Sequence, residues 1–197
     1  WREQAEAFLR YSGDPLPEGA PIEVAVEIRD CFGETAAPRT EIFYNARTDW
    51  RAGWIAAPTD ARGRAVYFRR DFRLNRPVKS AVLYACGIGY QAMYVNGERL
   101  GRAKLDPAHT DYTRECQYVL YTGVEELLRA GENCVSAIVG EGWRRNDQTL
   151  HTLSDGREVR FNGVPQLTAM LKITYSGGET EWICTDSSWQ AGAGAIV

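Results

Sequence analysis

The chain has little of what zinc chemistry, nucleic-acid binding or membrane insertion requires. It contains only two histidines, His109 and His151, and no Cys-x-x-Cys pair, so a His or Cys zinc site would have almost no ligands. Its 26 Asp and Glu outnumber its 23 Lys and Arg, and a net charge of −3 gives no basic excess to attract nucleic acid. No apolar run approaches the ~18 residues of a membrane-spanning helix. We therefore expect no nucleic-acid partner and no membrane span.

Cysteine is present, but in a pattern that does not predict a disulfide framework. The five cysteines are odd in number and widely spaced, which favours free, buried thiols. This favours the cytoplasm, while a periplasmic or secreted location stays open. A composition of 44% apolar and 25% charged residues is typical of a soluble globular protein. Because the chain opens with Trp1 and not with methionine, we expect it to be a piece of a longer protein.

The alternation of apolar and polar residues predicts an all-β chain. Four branched residues alternate from Ile22 to Ile28, which predicts a strand with one buried face. Asn96-Gly97 is a strong hairpin signal, because both residues tolerate positive φ. Another hairpin is predicted from Leu167 to Thr185, with its turn at Ser176-Gly177-Gly178. Many short strands, glycine-rich turns and no βαβ rhythm predict an antiparallel β-sandwich of the Greek-key or jelly-roll kind.

Two features interrupt this series of predicted strands. The polar stretch from Asn45 to Asp49 predicts a domain boundary, with residues 1–49 before it and residues 50–197 after it. The stretch from Val124 to Ala130 predicts one or two helical turns, and Gly131 stands where a left-handed residue would end a helix.

The stretch from Leu105 to Tyr112 holds more polar side chains than a connecting loop needs. Asp106, His109, Asp111 and Tyr112 supply two carboxylates, an imidazole and a phenol. Loops often carry binding residues, so these four are candidates for a sugar site. The alternative is a capped turn, because Asp before Pro and Thr before Asp are ordinary turn chemistry.

A second polar stretch directly follows a predicted buried strand, and its residues are Trp143, Arg144, Arg145, Asn146 and Asp147. Trp143 offers a flat face for a sugar ring, and the four polar side chains offer groups that hydrogen-bond hydroxyls. The oxygens of Asn146 and Asp147 are also suitable ligands for Ca²⁺. In the alternative interpretation Trp143 lies in the core and the two arginines are solvated.

Short motifs follow one another in a recognisable order over about residues 50 to 195. They include Trp50-Arg51-Ala52-Gly53-Trp54-Ile55, Tyr94-Val95-Asn96-Gly97, Leu105-Asp106-Pro107 with Thr110-Asp111-Tyr112, Gly131-Glu132-Asn133, Gly140-Glu141-Gly142-Trp143 and Thr185-Asp186-Ser187-Ser188-Trp189. In order and spacing they resemble the amino-terminal β-sandwich region of the bacterial α-L-rhamnosidases, glycoside hydrolase family 78. Residues 22–49 resemble the last strands of the fibronectin-type domain that often precedes this region.

The resemblance implies a jelly-roll accessory domain over residues 50–197, preceded over residues 1–49 by a linker and the remnant of a fibronectin type III-like sandwich. It implies a non-catalytic portion of a hydrolase whose catalytic domain is a separate α/α barrel, so this chain alone would not be catalytic. Its expected partners are a rhamnose-containing carbohydrate and the remainder of its own polypeptide. Calcium is an expected ion, because modules of this type in some relatives bind rhamnose through calcium. The alternative is a purely structural module with no sugar site.

Overall fold

In the computed structural model of the 197-residue chain, the regular secondary structure of the described part is almost entirely β-strand. That part comprises residues 13–14, 21–37, 39–44, 50–56, 61, 63–112, 114–142, 151–152, 156–159 and 163–196. The chain divides into two compact units, Trp1–Asp49 and Trp50–Val197. The all-β prediction is confirmed, while the fibronectin-like and jelly-roll assignments of the two units stay predictions.

The described residues of the first unit form an antiparallel ribbon of two strands, β1 (Pro21–Val26) and β2 (Arg39–Tyr44). The predicted strand is confirmed, but its predicted burial is wrong. Val24 and Val26 are 41% and 48% exposed, and Ile28 beyond the strand is 66% exposed. A two-stranded ribbon has no second layer of its own to bury a face, so alternation alone does not decide burial here.

The second unit contains twelve strands in its described part. In chain order they are β3 (Ile55–Ala56), β4 (Val66–Leu74), β5 (Val78–Ile88), β6 (Tyr90–Val95), β7 (Glu98–Arg99), β8 (Val119–Tyr121), β9 (Gly131–Gly140), β10 (His151–Thr152), β11 (Glu158–Val159), β12 (Gln166–Tyr175), β13 (Thr180–Cys184) and β14 (Gln190–Ala193). The first sheet has the order β13-β12-β5-β8, with β3 also paired to β12. The second sheet has the order β14-β4-β9-β6-β7, and β10 pairs with β11 apart from both.

Side chains from both sheets form one hydrophobic core. Along β9 the buried positions are Val135, Ala137 and Val139, which follow the two-residue period of a strand with one inward face. Phe68 of β4 and Leu83 of β5 are buried in the same cluster. Two antiparallel sheets that share one apolar interior make up a β-sandwich.

Both hairpins predicted from turn chemistry are confirmed. Asn96 and Gly97 have φ angles of 51° and 89°, and Val95 pairs with Glu98 across them. In the other hairpin β12 pairs with β13 in the register Leu171↔Ile183, and the turn residue Gly178 has φ 94°. Positive φ at these positions is what short hairpin turns require.

The predicted helical turns are shorter than expected. A single 3₁₀ turn spans Val124–Leu127, and Leu128 is already extended. Gly131 does have a positive φ of 90°, but it opens β9 and does not cap an α-helix. The Glu125 side chain holds the turn against β5 by accepting a hydrogen bond from the Ala81 backbone N–H at 2.9 Å. Among the described residues, no helix is long and apolar enough to span a bilayer.

Strand β12 is buried on its core face and, at Thr168 and Met170, on its outer face as well. Residues 50–56, which we call the strap, contact that outer face at Trp50 and Arg51 and then pair with β12 as β3. Trp50 Nε1 donates to Thr168 Oγ1 at 2.8 Å, and the Arg51 backbone N–H contacts Met170 Sδ at 3.1 Å. Thr168 and Met170 are 2% and 0% exposed as a result.

Candidate functional site

The chain passes from the first sheet to the second in a tight crossover. β5 ends at Ile88 and β6 begins at Tyr90. Gly89 between them has φ 116°, and a Cβ atom there would lie 1.9 Å from the carbonyl oxygen of Gly140. Only glycine can occupy this position without moving backbone. The crossover therefore holds Gly140, the last residue of β9, against Tyr90, the first residue of β6.

The first polar stretch and the residues that lead into the second, 140–142, lie at opposite edges of β6. Tyr90 pairs with Gly140 on one edge, and Gln91 forms a bridge with Asp106 on the other. The Gln91 backbone N–H donates to the Asp106 carbonyl oxygen at 2.6 Å. Residues 87–91, 105–112 and 140–142 thus lie at one end of the sandwich, which we call the loop end.

The backbone of the 105–112 stretch forms the hydrogen bonds of a capped turn. The carbonyl oxygen of Asp111 accepts from the N–H groups of Arg114 and Glu115 at 2.8 and 3.0 Å. Thr110 Oγ1 donates to the Glu115 carbonyl oxygen at 2.7 Å. These bonds support the turn interpretation, and a well-defined turn also fixes the directions in which its side chains leave the backbone.

The side chains of this turn supply polar and aromatic groups at the loop end. The rings of His109 and Tyr112 pack edge to face with centroids 5.1 Å apart and planes at 87°. His109 is exposed, and Asp111 and Tyr112 are half-buried. Asp106 is also half-buried, and this burial raises the pKa of its carboxyl, with a smaller opposite effect from Arg99. Of the four residues predicted in this stretch, His109, Asp111 and Tyr112 lie on the turn, and Asp106 lies where the stretch pairs with β6.

Sequence reasoning missed Gln91, whose side chain lies behind the loop end and is only 3% exposed. Its Nε2 donates to the Ala85 carbonyl oxygen at 3.2 Å and contacts the Tyr121 hydroxyl at 3.4 Å. Burial raises the pKa of Tyr121 to about 12, so this phenol keeps its proton. Within the described part of the molecule, Gln91 Oε1 has no hydrogen-bond partner. The sequence signal for this position is that Gln91 is polar, while Met93 and Val95, two and four residues further along the strand, are apolar and buried.

The stretch with the second set of predicted residues lies outside the described residues, which end at Gly142 and resume at His151. The roles of Trp143, Arg144, Arg145, Asn146 and Asp147 therefore stay predictions. The chain that leads to them is fixed to the loop end at two points. Gly142 lies against the Tyr90 ring, where a Cβ atom would come within 2.9 Å of Cδ2, and Glu141 Oε1 accepts from the Gly63 N–H at 2.7 Å.

The predicted calcium ligands Asn146 and Asp147 belong to that same stretch. Within the described ranges, no group of three or more His, Cys, Asp or Glu side chains is placed to share a metal ion. The calcium site stays a prediction.

Four aromatic rings form a continuous row on the outer face of the first sheet. The ring centroids are 5.4 Å apart for Trp50 and Tyr118, 6.2 Å for Tyr118 and Tyr84, and 6.4 Å for Tyr84 and Trp182. The guanidinium of Arg51 lies 5.0 Å from the Trp182 ring centroid, within the range of a cation–π contact. Trp50 and Tyr118 are 36% and 41% exposed. This aromatic row is therefore a partly open apolar surface.

The fold and the loop end define the class of this protein, an antiparallel two-sheet β-sandwich module with polar loops gathered at one end. The match to known families is specific. Residues 76–197 match the model of the alpha-L-rhamnosidase N-terminal domain, and the chain belongs to that family.

Relatives of known structure and sequence support this assignment. An alpha-L-rhamnosidase of Formosa agariphila is 32% identical over 151 residues, which are 76% of this chain and 16% of that protein. The Streptomyces avermitilis alpha-L-rhamnosidase, crystallised with L-rhamnose, matches 66% of this chain and 12% of its own at 32% identity and a TM-score of 0.56. Native alpha-L-rhamnosidase from Aspergillus terreus matches 94% of this chain and 22% of its own at 27% identity and a TM-score of 0.68. The chain spans 14 to 21% of the length of the curated relatives it matches.

Proposed function

We propose that this chain is the non-catalytic N-terminal portion of an α-L-rhamnosidase, and that it supports hydrolysis of terminal α-L-rhamnosides by recognising carbohydrate at the loop end. The observation that carries the proposal is that the polar turn beginning at Asp106 lies at one edge of β6, while Gly140, which leads into the second polar stretch, lies at the other. A family relative that was crystallised with L-rhamnose adds support.

The chemistry of the loop end suits a neutral, hydroxyl-rich ligand. Sugar hydroxyls both donate and accept hydrogen bonds, and carboxylates accept them while imidazole and phenol groups can do either. Asp111 and His109 supply such groups within one short turn, and Tyr112 supplies its ring, since its hydroxyl is buried. The edge-to-face pair of His109 and Tyr112 also presents apolar ring surface beside them. The chain's net charge of only −3 agrees with an uncharged partner.

The recognition proposal is tested by titrating L-rhamnose into the chain, with and without Ca²⁺, while tryptophan fluorescence is followed. We expect a saturable change with a Kd of about 1 mM, typical of a small polar ligand with few contacts. Tyr112→Ala should weaken binding about tenfold by removing one aromatic contact. Tyr94→Ala is the matched control, because Tyr94 lies toward the other end of β6 and should leave the affinity unchanged.

The calcium arm of the titration separates two versions of the proposal. A response that requires Ca²⁺ would support ligands from the stretch that holds Asn146 and Asp147. A response without Ca²⁺ would support recognition that needs no metal ion. No fluorescence change at any sugar concentration in either condition would refute carbohydrate recognition.

We further propose that the hydrolytic residues lie in the remainder of a longer polypeptide, in a separate α/α barrel. The support is the match of this chain to an N-terminal domain and to at most about a fifth of its curated relatives. Incubated with an aryl α-L-rhamnoside, the chain should release no more phenol than a heat-denatured sample does. Release that scales with the amount of folded chain would overturn the non-catalytic assignment.

A second candidate function is a purely structural module that packs against other parts of the same polypeptide. The aromatic row favours it, because partly exposed aromatic rings are enriched where proteins make contacts. This candidate predicts an unchanged fluorescence in the sugar titration. It also predicts that neither Tyr112→Ala nor Tyr94→Ala changes the fluorescence in that titration.

A further inference from the structure

The cysteines of the described residues are all free, as the sequence predicted, but only Cys86 is buried. Cys31 is exposed, so the prediction of burial is wrong there, and Cys116, Cys134 and Cys184 are half-buried. Two of these five thiols lie side by side. They belong to neighbouring parts of the first sheet, Cys86 to β5 and Cys116 to the segment that leads into β8.

The register of the two strands explains this proximity. Tyr84 pairs with Leu120 and Ala85 pairs with Val119, so the position opposite Cys86 is that of Tyr118. On the outer face Tyr84 contacts Tyr118, its diagonal neighbour, with ring centroids 6.2 Å apart. The same diagonal, continued before the first residue of β8, leads from Cys86 to Cys116. Side chains on one face of a sheet are repeated every two residues, so Cys86 lies on the outer face with Tyr84.

The two thiols interact directly. Burial raises the pKa of the Cys86 thiol, and a hydrogen bond and charge interaction with the Cys116 thiol raise it further. Diagonal neighbours in a regular sheet have Cα atoms about 7–8 Å apart, slightly beyond the range that a disulfide spans, so bridging them requires the backbone to move. Residues 115–118 precede β8, so a small displacement of this segment can close the remaining distance without breaking the β5–β8 pairs.

We propose that Cys86 and Cys116 form a reversible disulfide that links β5 to the segment before β8. The oxidant is a low-molecular-weight disulfide such as oxidised glutathione. The Cys116 thiolate attacks one of its sulfurs, forms a mixed disulfide and releases one glutathione thiolate. The Cys86 thiol then transfers its proton to that thiolate, attacks Cys116 Sγ and releases the second glutathione as a thiolate, which takes up the proton that Cys116 had lost to solvent. Two protein thiols are thereby oxidised, and one glutathione disulfide is reduced to two thiols.

The order of these steps follows from accessibility. Cys116 is half-buried and can meet an external disulfide, whereas Cys86 is 2% exposed and can meet only Cys116. The thiolate is the attacking form, and the raised pKa of Cys86 keeps that thiol protonated until its partner is activated. The new bond would close a loop of about 30 residues that includes the whole 105–112 turn.

The test is equilibration of the reduced chain with oxidised glutathione, followed by tryptic digestion without reductant and mass spectrometry. We expect the peptide Ser80–Arg99 joined to the peptide Glu115–Arg129, with the loss of two hydrogen atoms. The melting temperature should rise by about 10 °C, because closing a loop of this length restricts the unfolded chain. Reduction with dithiothreitol should reverse both changes.

Two variants keep the test specific. Cys116→Ser alters a half-buried site and should abolish the cross-link and the rise in melting temperature, whereas Cys184→Ser, also half-buried, should retain both. A glutathione adduct that persists on Cys116 without closing onto Cys86 would overturn the proposal. So would a cross-link that forms equally well in the urea-unfolded chain, because native proximity would then have no role.

Discussion

Gly89→Ala is expected to lower the free energy of unfolding by about 4 kcal/mol, which places it among the most damaging single substitutions. The added Cβ would meet the Gly140 carbonyl oxygen at 1.9 Å and its carbon at 3.0 Å. Both atoms are backbone, so no side chain can rotate away. The φ angle of 116° is also unfavourable for alanine. Relief would require β6 and β9 to separate at the loop end.

Gly97→Ala provides the matched control for this effect. Gly97 also has a positive φ, 89°, but a Cβ there would meet no atom within 4 Å. We expect a cost of about 1 kcal/mol, from backbone strain alone. Urea unfolding followed by circular dichroism measures both variants. If Gly89→Ala lowers the free energy of unfolding no more than Gly97→Ala does, the backbone at the crossover can move away from an added Cβ and the expectation is wrong.

Asn133→Asp is expected to lower the free energy of unfolding by about 3 kcal/mol at pH 7. The Asn133 amide is 3% exposed and makes four hydrogen bonds. Nδ2 donates to the carbonyl oxygens of Arg129 and Gly131 at 2.7 and 2.9 Å. Oδ1 accepts from the Arg129 N–H at 3.0 Å and from Asn96 Nδ2 at 2.9 Å. A carboxylate would place an oxygen, in place of the two N–H donors, against two carbonyl oxygens.

The deficit of this variant should depend on pH. The introduced carboxyl faces two acceptors in a buried site, so its folded pKa lies above the value of about 3.9 in the unfolded chain. A raised carboxyl pKa gives stability that is fully present below the unfolded pKa and is lost as pH rises through the folded pKa. The difference from wild type should therefore grow from pH 4 to pH 7 in urea unfolding. Asn133→Ala removes the same bonds without adding a titrating group, and its deficit should stay constant; parallel profiles for the two variants would contradict this account.

The features of the fold that were predictable from sequence are the local ones. Asn96-Gly97 and Ser176-Gly177-Gly178 specify turns through the backbone angles that glycine and asparagine tolerate, and the hairpins around them follow. The alternating residues of β9 likewise specify which side chains face the core and which face outward.

Burial that depends on distant parts of the chain was not predictable. Val24 and Val26 alternate as a buried face would, yet no second layer of their own ribbon covers them. Thr168 and Met170 occupy the outer face of a strand, yet they are buried because the strap crosses them from more than 100 residues away. Alternation reports which residues share a face, and it does not report what covers that face.

The candidate site likewise has local features that the sequence predicts and long-range features that it does not. The turn chemistry of Thr110 and Asp111 was visible in the sequence, and so was the polar character of both stretches. The positions of Asp106 and Gly140 on either side of β6 were not visible, because they depend on the crossover at Gly89 and on the bridge between Gln91 and Asp106. Gln91 itself was overlooked because its inward position is defined only once β6 has a second sheet behind it.

The strap shows that the boundary of the family match and the boundary of the folded sandwich are different. The family match begins at residue 76, but Trp50 and Arg51 already bond to the middle of β12, and Gly53 N–H donates to the Thr185 carbonyl oxygen at 3.0 Å. A chain trimmed to the matched region would also lose β4, which lies between β14 and β9 in the second sheet. The stretch that the family model matches is therefore shorter than the smallest stretch that can complete this sandwich, and any shortened version has to begin at or before Trp50.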